Sequence, residues 1–534
     1  MSDESGASVR WALERAWVPF FSRFGRVTPV QEATIPLILS GSNVVVTSPT
    51  ASGKTEAVLA PLAELALKER WLGLAILYVV PTRALANDTV ARIEGPLCEL
   101  GLRTAIRHGD RRFLSRQNPP NCLVTTPESL DSLVCRRPDL FADLRAVVLD
   151  EIHLVDGTYR GDQLRILLRR LERLVRHRFS VHLLSATLGQ PTEVAERYVS
   201  DFEVIVIPGS RELDYFLVDS PEEVFELTRS RGWKKTLWFC NTRQSVENTA
   251  VGISQLWKPY PVVAHHGSLS KAEREEAERV MKEAKTAVCV ATSTLEIGID
   301  IGDIDSVVLG DPPLSLSSLH QRVGRGSRRS GRINAVAVAG SHYEKLLLKV
   351  WFEAARMGAM GGVPYIPDRS VIVQQVFSIL YQYPGGLKGT EILEIVSPLA
   401  DERELSLIVN HLEDLGFVEY IGGRWLGSSR ARDMGERGLI HSNIPDEETY
   451  TVMNAESGKT IGTVSGEFGD VFALAGRIWK VVSVAGNQVK VIPVKGPALP
   501  PAFRGRRATG AFYKYLPSEL KELDKVTGIG CSFP

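Results

Sequence analysis

The chain has 534 residues, with 63 Lys and Arg balancing 63 Asp and Glu, and 44% of its positions are hydrophobic. A zero formal charge excludes a histone-like, uniformly basic coat, so any nucleic-acid contact has to come from local patches. No apolar run reaches the roughly 18 to 20 residues of a membrane span. The polar, acidic start Met1-Ser2-Asp3-Glu4-Ser5 reads as no signal peptide. The six cysteines, Cys98, Cys122, Cys135, Cys240, Cys289 and Cys531, form no CxxC pair. That argues against structural zinc and a disulfide framework, and makes a reducing cytoplasm the expected compartment.

At roughly 150 residues per domain the length predicts three or four domains. In chain order, Asn43–Thr47, Leu74–Val80, Cys122–Thr125, Ala146–Leu149 and Val181–Leu184 are short, wholly apolar runs separated by amphipathic stretches such as Thr55–Trp71 and Asp162–Val175. Strands apolar throughout and spaced by helices predict an α/β domain with a parallel sheet covered on both faces. After Pro208-Gly209 the pattern restarts with Thr236–Phe239, Val262–His265, Ala287–Ala291, Ser306–Leu309 and Ala335–Val338. Two tandem α/β domains are expected, over 1–208 and 209–365. Residues 366–428 read as three helices and a short β-pair around Phe417–Trp425, the order of a winged helix. The remainder, 429–534, reads as a β-rich accessory domain, with runs at Thr449–Met453, Thr460–Val464, Ile478–Val484 and Gln488–Val494.

The sharpest local signal is Ser48-Pro49-Thr50-Ala51-Ser52-Gly53-Lys54-Thr55, directly after a strand and opening a helix. A phosphate loop needs small residues that let backbone N–H groups point inward, a Lys for the β/γ-phosphates and a hydroxyl for Mg²⁺. Gly53, Lys54 and Thr55 supply these, although Ser48 stands where the first Gly is usual. Asp150-Glu151-Ile152-His153 follows the strand Ala146–Leu149. Asp150 is then placed to hold Mg²⁺ and Glu151 to orient an attacking water. Alone, that pair also reads as two solvated acids at a strand end.

With these residues the chain resembles the superfamily 2 helicases with a DExH box, through nine motifs in order across residues 24 to 329. Phe24 to Gln31 resembles the adenine-reading Q motif, with Gln31 as reader. Pro81 to Ala86 resembles motif Ia, Thr125 to Leu130 motif Ib, and Ser185-Ala186-Thr187 motif III. Asn241-Thr242-Arg243 resembles motif IV, Ala291 to Asp300 motif V, and Gln321 to Arg328 motif VI, with Ser327 replacing the usual Gly. The acidic box, the Ib-like stretch and Tyr159-Arg160-Gly161-Asp162-Gln163-Leu164 are similar to the large helicase-related (Lhr) group or a related archaeal-type branch. This implies two RecA-like domains, a winged helix and a small barrel-like β module.

The resemblance assigns catalysis to Lys54, Asp150, Glu151, Arg325 and Arg328, the two arginines acting as fingers on the γ-phosphate. Nucleotide binding falls to Gln31, Ser52, Gly53, Lys54, Thr55, Gly298 and Asp300, with Mg²⁺ on Thr55 and Asp150. Thr82, Arg83, Thr126 and Thr292 would hold nucleic acid by its phosphates, which suits stepping along any sequence. Arg83 also reads as an ion-pair residue within its own domain. His153, Ser185, Thr187 and Gln321 would couple hydrolysis to movement. The implied activity is ATP-driven 3′→5′ translocation of a monomer on single-stranded or tailed DNA, with RNA and RNA:DNA hybrids left open. No membrane partner is expected. An ATP-gated clamp without processive unwinding and an RNA-directed helicase carry the same motifs.

Between motifs V and VI only Ile301 to His320 intervene, too few for a long strand-separating hairpin, so any wedge has to come from the accessory domains. Lys495 to Lys514 mixes Lys495, Arg504, Arg506, Arg507 and Lys514 with Phe503, Phe512 and Tyr513. It reads either as a single-strand contact or as a solvated loop with core aromatics. Trp425 and Trp479 read either as base-stacking or as core residues, and His265-His266 as a turn rather than a metal site.

Overall fold

The computed structural model describes residues 8–49, 52–111, 114–115, 117–208, 212–296, 301–326, 332–359, 365–444, 449–465, 468–494 and 510–526. The chain divides into two compact units. The first comprises 1–207, 362–446 and 506–534; the second comprises 208–361 and 447–505.

The first unit is built on a seven-stranded sheet: β1 Val44–Thr47, β2 Ile76–Val79, β3 Thr104–Arg107, β4 Cys122–Thr125, β5 Ala146–Leu149, β6 Ser180–Ser185 and β7 Glu203–Val206. Its order is β3-β4-β2-β5-β6-β1-β7, and every pairing is parallel. β1, β2, β4 and β5 are buried at every residue, as strands covered on both faces must be. The edges differ: β3 is half-exposed throughout, and only Ile205 of β7 is buried.

Helices Ser370–Gln382, Gly389–Val396 and Glu402–Asp414, with the antiparallel hairpin β14 Val418–Ile421 and β15 Arg424–Gly427, form the winged-helix segment of this unit. A capping box at Asp401 and Glu404 starts the third helix. The first of these helices is buried from Ser370 to Leu380. Its apolar residues join one core with Ile166 of helix Tyr159–Glu172. Its polar residues Gln374, Gln375 and Ser378 are buried too and need partners. They find them around Asp131 and Arg170. The sequence reads as β-like after 429, whereas Ser429–Glu436, Ala511–Tyr515 and Ser518–Val526 are helical. Ser428 caps the first of these by accepting from the Ala431 N–H.

The second unit holds a six-stranded sheet: β8 Glu212–Val218, β9 Lys235–Phe239, β10 Val262–His265, β11 Ala287–Ala291, β12 Ser306–Leu309 and β13 Arg332–Val338. The order is β10-β11-β9-β12-β13-β8, again parallel throughout. A five-stranded mixed sheet packs on it: β16 Tyr450–Asn454, β17 Thr460–Val464, β18 Val471–Leu474, β19 Arg477–Ala485 and β20 Gln488–Pro493, in the order β17-β16-β20-β19-β18. Val452, Ile461, Phe472 and Trp479 share a core with Trp238, Val246 and Ala250.

Glu247 joins the two layers. Its buried carboxylate accepts from the Ala475 and Gly476 N–H groups, both at 2.7 Å, and lies 2.8 Å from His266 Nε2. Ala475 and Gly476 form the β18–β19 turn with φ of +58° and +67°. Two adjacent left-handed residues make a primed hairpin turn, which aims both N–H groups at the same carboxylate. No helix among the described residues is long and apolar enough to cross a membrane.

Candidate functional site

In the first sheet β1 lies beside β6, and β6 beside β5, with Thr47 opposite Ser185 and Leu149 opposite Leu183. The phosphate-loop segment, the acidic box and Ser185-Ala186-Thr187 therefore leave the sheet together at the C-terminal ends of adjacent strands, where parallel α/β sheets place ligands.

Gly53 opens the helix Lys54–Lys68 at φ +91°, and a Cβ there would fall on the Gln31 amide. Only glycine fits. Gln31 is committed to this corner: Oε1 accepts from Thr28 N at 2.8 Å and Nε2 donates to the Gly53 carbonyl at 3.3 Å. Thr28 Oγ1 in turn donates to the Ser52 carbonyl at 2.8 Å, and Ser52 Oγ lies 2.7 Å from Ser48 Oγ. The Lys54 ammonium donates to the carbonyls of Ser48 (2.7 Å) and Pro49 (3.0 Å), which holds it over the loop.

Asp150 is buried at the end of β5. It accepts from Tyr78 Oη at 2.6 Å and from the Glu151 N–H at 2.8 Å. Burial, and then the Glu151 carboxylate, raise it above the ordinary carboxylate value, against the Tyr78 hydroxyl, Lys54 and Arg92. Burial and Asp150 push the Tyr78 phenol well above its usual 10.0. Arg92 Nη2 donates to Thr55 Oγ1 at 3.2 Å. Two adjoining carboxylates, with a threonine hydroxyl on the same strand-end surface, are the hard-oxygen donor set of a small divalent cation. The residues fit Mg²⁺.

Glu151 sits at φ +47°, a strained conformation for a residue with a side chain, and its buried Oε2 has no hydrogen-bond partner among the described residues. His153 Nδ1 stands 3.4 Å from that carboxylate and 2.8 Å from Ser185 Oγ. Ser185 Oγ also donates to the Thr187 carbonyl at 3.1 Å and accepts from the Thr187 N–H at 3.0 Å. A continuous line of polar contacts thus runs from the acidic box to Thr187.

Of the residues assigned to nucleic acid, Thr82 caps helix Arg83–Glu99 by accepting from Leu85 N, and Thr126 stands at the N-cap of helix Pro127–Arg136 with no side-chain cap bond. Arg83 makes an exposed ion pair with Asp110 at 2.8 Å. Motifs Ia and Ib are tied by Arg160. Its Nη2 donates to the Pro81 carbonyl at 2.6 Å, and its Nε to Glu128 Oε1 at 2.6 Å.

In the second unit Arg322 links three motifs. Nε donates to Glu296 Oε1 at 2.6 Å and Nη2 to Asn241 Oδ1 at 2.8 Å. Arg325 is 2% exposed and its Nε donates to the Glu296 carbonyl at 3.0 Å. Gln321 Nε2 donates to Ser317 Oγ at 3.3 Å, and Thr292 Oγ1 lies 3.4 Å from Thr294 Oγ1. Gly298, Asp300, Arg328 and the basic stretch 495–509 lie outside the described residues. Tyr78, Arg92, Arg160, Glu296 and Arg322 carry the geometry yet escaped the sequence-based assignment of site residues. Arg160 lies in a stretch singled out only as a branch signature, Glu296 and Arg322 lie inside the motif V and motif VI stretches without a role of their own, and Tyr78 and Arg92 give no local signal.

Trp479 is a core residue, its Nε1 donating to the Leu474 carbonyl, so it offers no face for stacking. Trp425 is half-buried against Tyr420, with ring centroids 4.9 Å apart. His265 Nδ1 lies 3.0 Å from Thr294 Oγ1 and its Nε2 3.2 Å from Glu278 Oε1. Among the described residues Asp131, Cys135 and His441 bring ligand atoms within 4.8 Å of one another. Arg170 already fills that place, with Nη1 2.8 Å from Asp131 Oδ1 and Nη2 3.1 Å from Cys135 Sγ. A fixed cation there leaves no room for a metal's charge.

With this geometry in hand, residues 28–194 match the family model of the DEAD/DEAH box helicase, and residues 219–330 that of the helicase conserved C-terminal domain. The chain is similar to the ATP-dependent helicase Lhr-Core of Methanocaldococcus jannaschii, at 30% identity over 94% of this chain and 66% of that one. It is also similar to the Lhr helicase/probable uracil glycosylase of Mycolicibacterium smegmatis, at 28% identity over 96% of this chain and 40% of that one. It therefore spans just under two thirds of the archaeal relative's length. Among solved structures, Mycobacterium smegmatis helicase Lhr bound to ssDNA and AMP-PNP superposes with a TM-score of 0.68 at 25% identity, over 81% of this chain and 62% of that one. The DUF1998 helicase MrfA bound to DNA shares the fold, with a TM-score of 0.73 at 20% identity over 91% of this chain and 73% of that one.

Proposed function

The chain belongs to the superfamily 2 DExH-box helicases of the Lhr type, and on that premise we propose that it hydrolyses ATP to move 3′→5′ along single-stranded DNA, opening DNA or RNA:DNA duplex as it goes. The observation that carries the reading is the emergence of Lys54, the Asp150-Glu151 pair and Ser185 at neighbouring strand ends, with His153 between the acids and Ser185.

In this reading Lys54 draws the β/γ-phosphates against the loop, and Gln31 and Ser52 hold the corner on which the nucleotide rests. Glu151, whose Oε2 meets no hydrogen-bond donor among the described residues and whose backbone is strained, orients the attacking water. Thr55 and Asp150 would hold Mg²⁺, which supplies charge neutralisation to the phosphates when bound. His153, Ser185 and Thr187 report the state of the acidic box to the strand-binding segments, with Gln321 serving the same end in the second unit. Arg325 and Arg328 supply the cations that stabilise transition-state charge, typically worth roughly 10³- to 10⁵-fold in rate. Gly298 and Asp300 complete the nucleotide site. Thr82, Arg83, Thr126 and Thr292 hold the sugar-phosphate backbone, so stepping is independent of sequence. The protein acts as a cytoplasmic monomer.

The test is steady-state ATPase activity without nucleic acid, with single-stranded DNA and with single-stranded RNA, at two salt concentrations, followed by unwinding of 3′- and 5′-tailed duplexes. Strong stimulation by DNA that fades with salt, and separation of the 3′-tailed duplex alone, are expected. Preference for RNA would make it an RNA-directed enzyme. Stimulated hydrolysis with no strand separation in a single turnover would make it an ATP-gated clamp.

A further inference from the structure

The residues just beyond β3 are built against the start of helix Arg83–Glu99. His108 and Arg111 bond each other's backbones in both directions, at 3.1 and 2.9 Å, closing a tight turn over Gly109-Asp110. His108 is buried. Its Nδ1 accepts from the Asp110 N–H at 3.3 Å, and its Nε2 stands 3.4 Å from Asn87 Oδ1. Asn87 Nδ2 donates in turn to the Arg83 carbonyl at 3.0 Å, one helical turn back. The turn is fastened to itself and to the helix, so its carboxylate is held in one place. That carboxylate meets Arg83: Nη1 stands 2.8 Å from Asp110 Oδ1, and Asp110 is the one acid Arg83 pairs with among the described residues. Gly109 makes the approach possible, since a Cβ there would stand 2.5 Å from Arg83 Nη2 and 2.7 Å from Cζ. The guanidinium therefore lies against bare glycine backbone. The two charged side chains are 60% and 66% exposed, and an ion pair so open to water holds only weakly.

A guanidinium matched by a carboxylate presents no net charge to an approaching polyanion, and the carboxylate itself repels phosphate. The same guanidinium is forked, and a phosphate can take it over once the carboxylate gives way. We propose that Asp110 is a positioning residue for Arg83: the 108–111 turn parks the arginine against Asp110 while no strand is bound, and a phosphate of the strand displaces the carboxylate. Asp110 touches no part of the strand and acts through Arg83 alone. The inference rests on the reading of Arg83 as a strand contact and deepens it. Internal ion pair and phosphate ligand, the two readings of that residue, become successive states of one side chain. An enzyme that steps must let go of each phosphate it grips. A counter-ion waiting beside the arginine weakens the grip and receives the cation on release, so that neither step leaves the guanidinium bare.

The test is equilibrium binding of the full chain to oligothymidylate of about 20 nucleotides, longer than a site of about 4 to 16, across a salt series. The wild type is compared with Asp110→Asn, Asp110→Glu, Arg83→Gln and Arg83→Gln/Asp110→Asn. Asp110→Asn leaves Arg83 without its counter-ion, and is expected to bind about two- to fivefold more tightly at ~0.15 M salt. Its slope of log K against log salt should steepen by about 0.7, the share of one further phosphate on a single strand. A chain that fails to fold produces no such gain. Asp110→Glu keeps the charge and with it the wild-type slope. In the Arg83→Gln background the gain from Asp110→Asn disappears. An Asp110→Asn variant that binds no more tightly than wild type overturns the inference, as does a gain of equal size in the Arg83→Gln background, which would mean that Asp110 acts on the strand without Arg83. An Arg83→Gln variant with wild-type affinity and slope overturns the reading of Arg83 as a strand contact, and this inference with it.

Discussion

Arg170 and Asp131 form an ion pair shut away from water: Nη1 stands 2.8 Å from Oδ1, with the two side chains 1% and 0% exposed. The pair is saturated by amides and hydroxyls. Gln163, Gln374 and Gln375 donate to Asp131 Oδ2. Arg170 donates to Gln375, Ser378 and Gln382. These partners come from both the first sheet's helices and the winged-helix segment, so the pair is the polar bolt between them.

Breaking a buried pair leaves one charge uncompensated, at about 3–5 kcal/mol, whereas removing both charges is far milder. Asp131→Ala is expected to destabilise the protein by that amount in chemical unfolding. Asp131→Ala/Arg170→Met should recover most of it. A single variant within about 1 kcal/mol of wild type would show that the pair carries no such load.

Lys54→Ala and Glu151→Gln are expected to lower ATP turnover by at least about 10²-fold, while single-strand binding stays measurable. Both residues are proposed to act on the nucleotide and not on the strand. Turnover near the wild-type rate in either variant contradicts the roles given to them.

Arg160 bonds the Pro81 carbonyl and the Glu128 carboxylate at once. Hydrogen bonds to charged groups are worth about 1.5–3 kcal/mol each, so Arg160→Met should let motifs Ia and Ib drift apart. The expected result is about tenfold weaker strand binding, with ATPase activity in the absence of nucleic acid unchanged. Equal loss of both activities would mean that Arg160 supports the unit as a whole.

Burial pushes the Asp162 carboxyl up from 3.8 to about 7, against hydrogen bonds from Asp368 N and Arg165. Between these values the folded chain holds a proton that the unfolded chain has released. Stability from this group is therefore present below 3.8 and lost as pH rises through about 7. Relative to Asp162→Asn, the wild type should grow less stable across that window and then hold a constant difference. Unfolding free energies of both proteins as a function of pH measure it; parallel profiles would refute the assignment.

What the sequence discloses follows from how local the cause is. The central strands are legible because burial on both faces demands uninterrupted apolar runs, as in Val44–Thr47 and Ala146–Leu149. Edge strands β3, β7 and β8 escape, since a strand with one side open needs no such run. Helix Ser429–Glu436 escapes because its stability comes from a cap and from packing rather than periodicity. In the site, Lys54 and Asp150 stand out through their place after a strand. Tyr78 and Arg92 do not, because their partners Asp150 and Thr55 lie 72 and 37 residues away in the chain. The Tyr159–Leu164 stretch reads only as a signature until the fold gives it meaning. Arg160 ties two motifs, Asp162 accepts from Asp368 N, and Gln163 reaches Asp131.

The chain leaves one unit for the other near residues 207, 361, 446 and 505, and the Glu247 joint means that the segment between the last two passages folds onto the second sheet rather than beside its neighbours in sequence. A single backbone nick at any of these passages would free no lobe, since each unit is still stitched by the remaining three. The protein should run as one species after such a nick under native conditions and fall into fragments only when denatured.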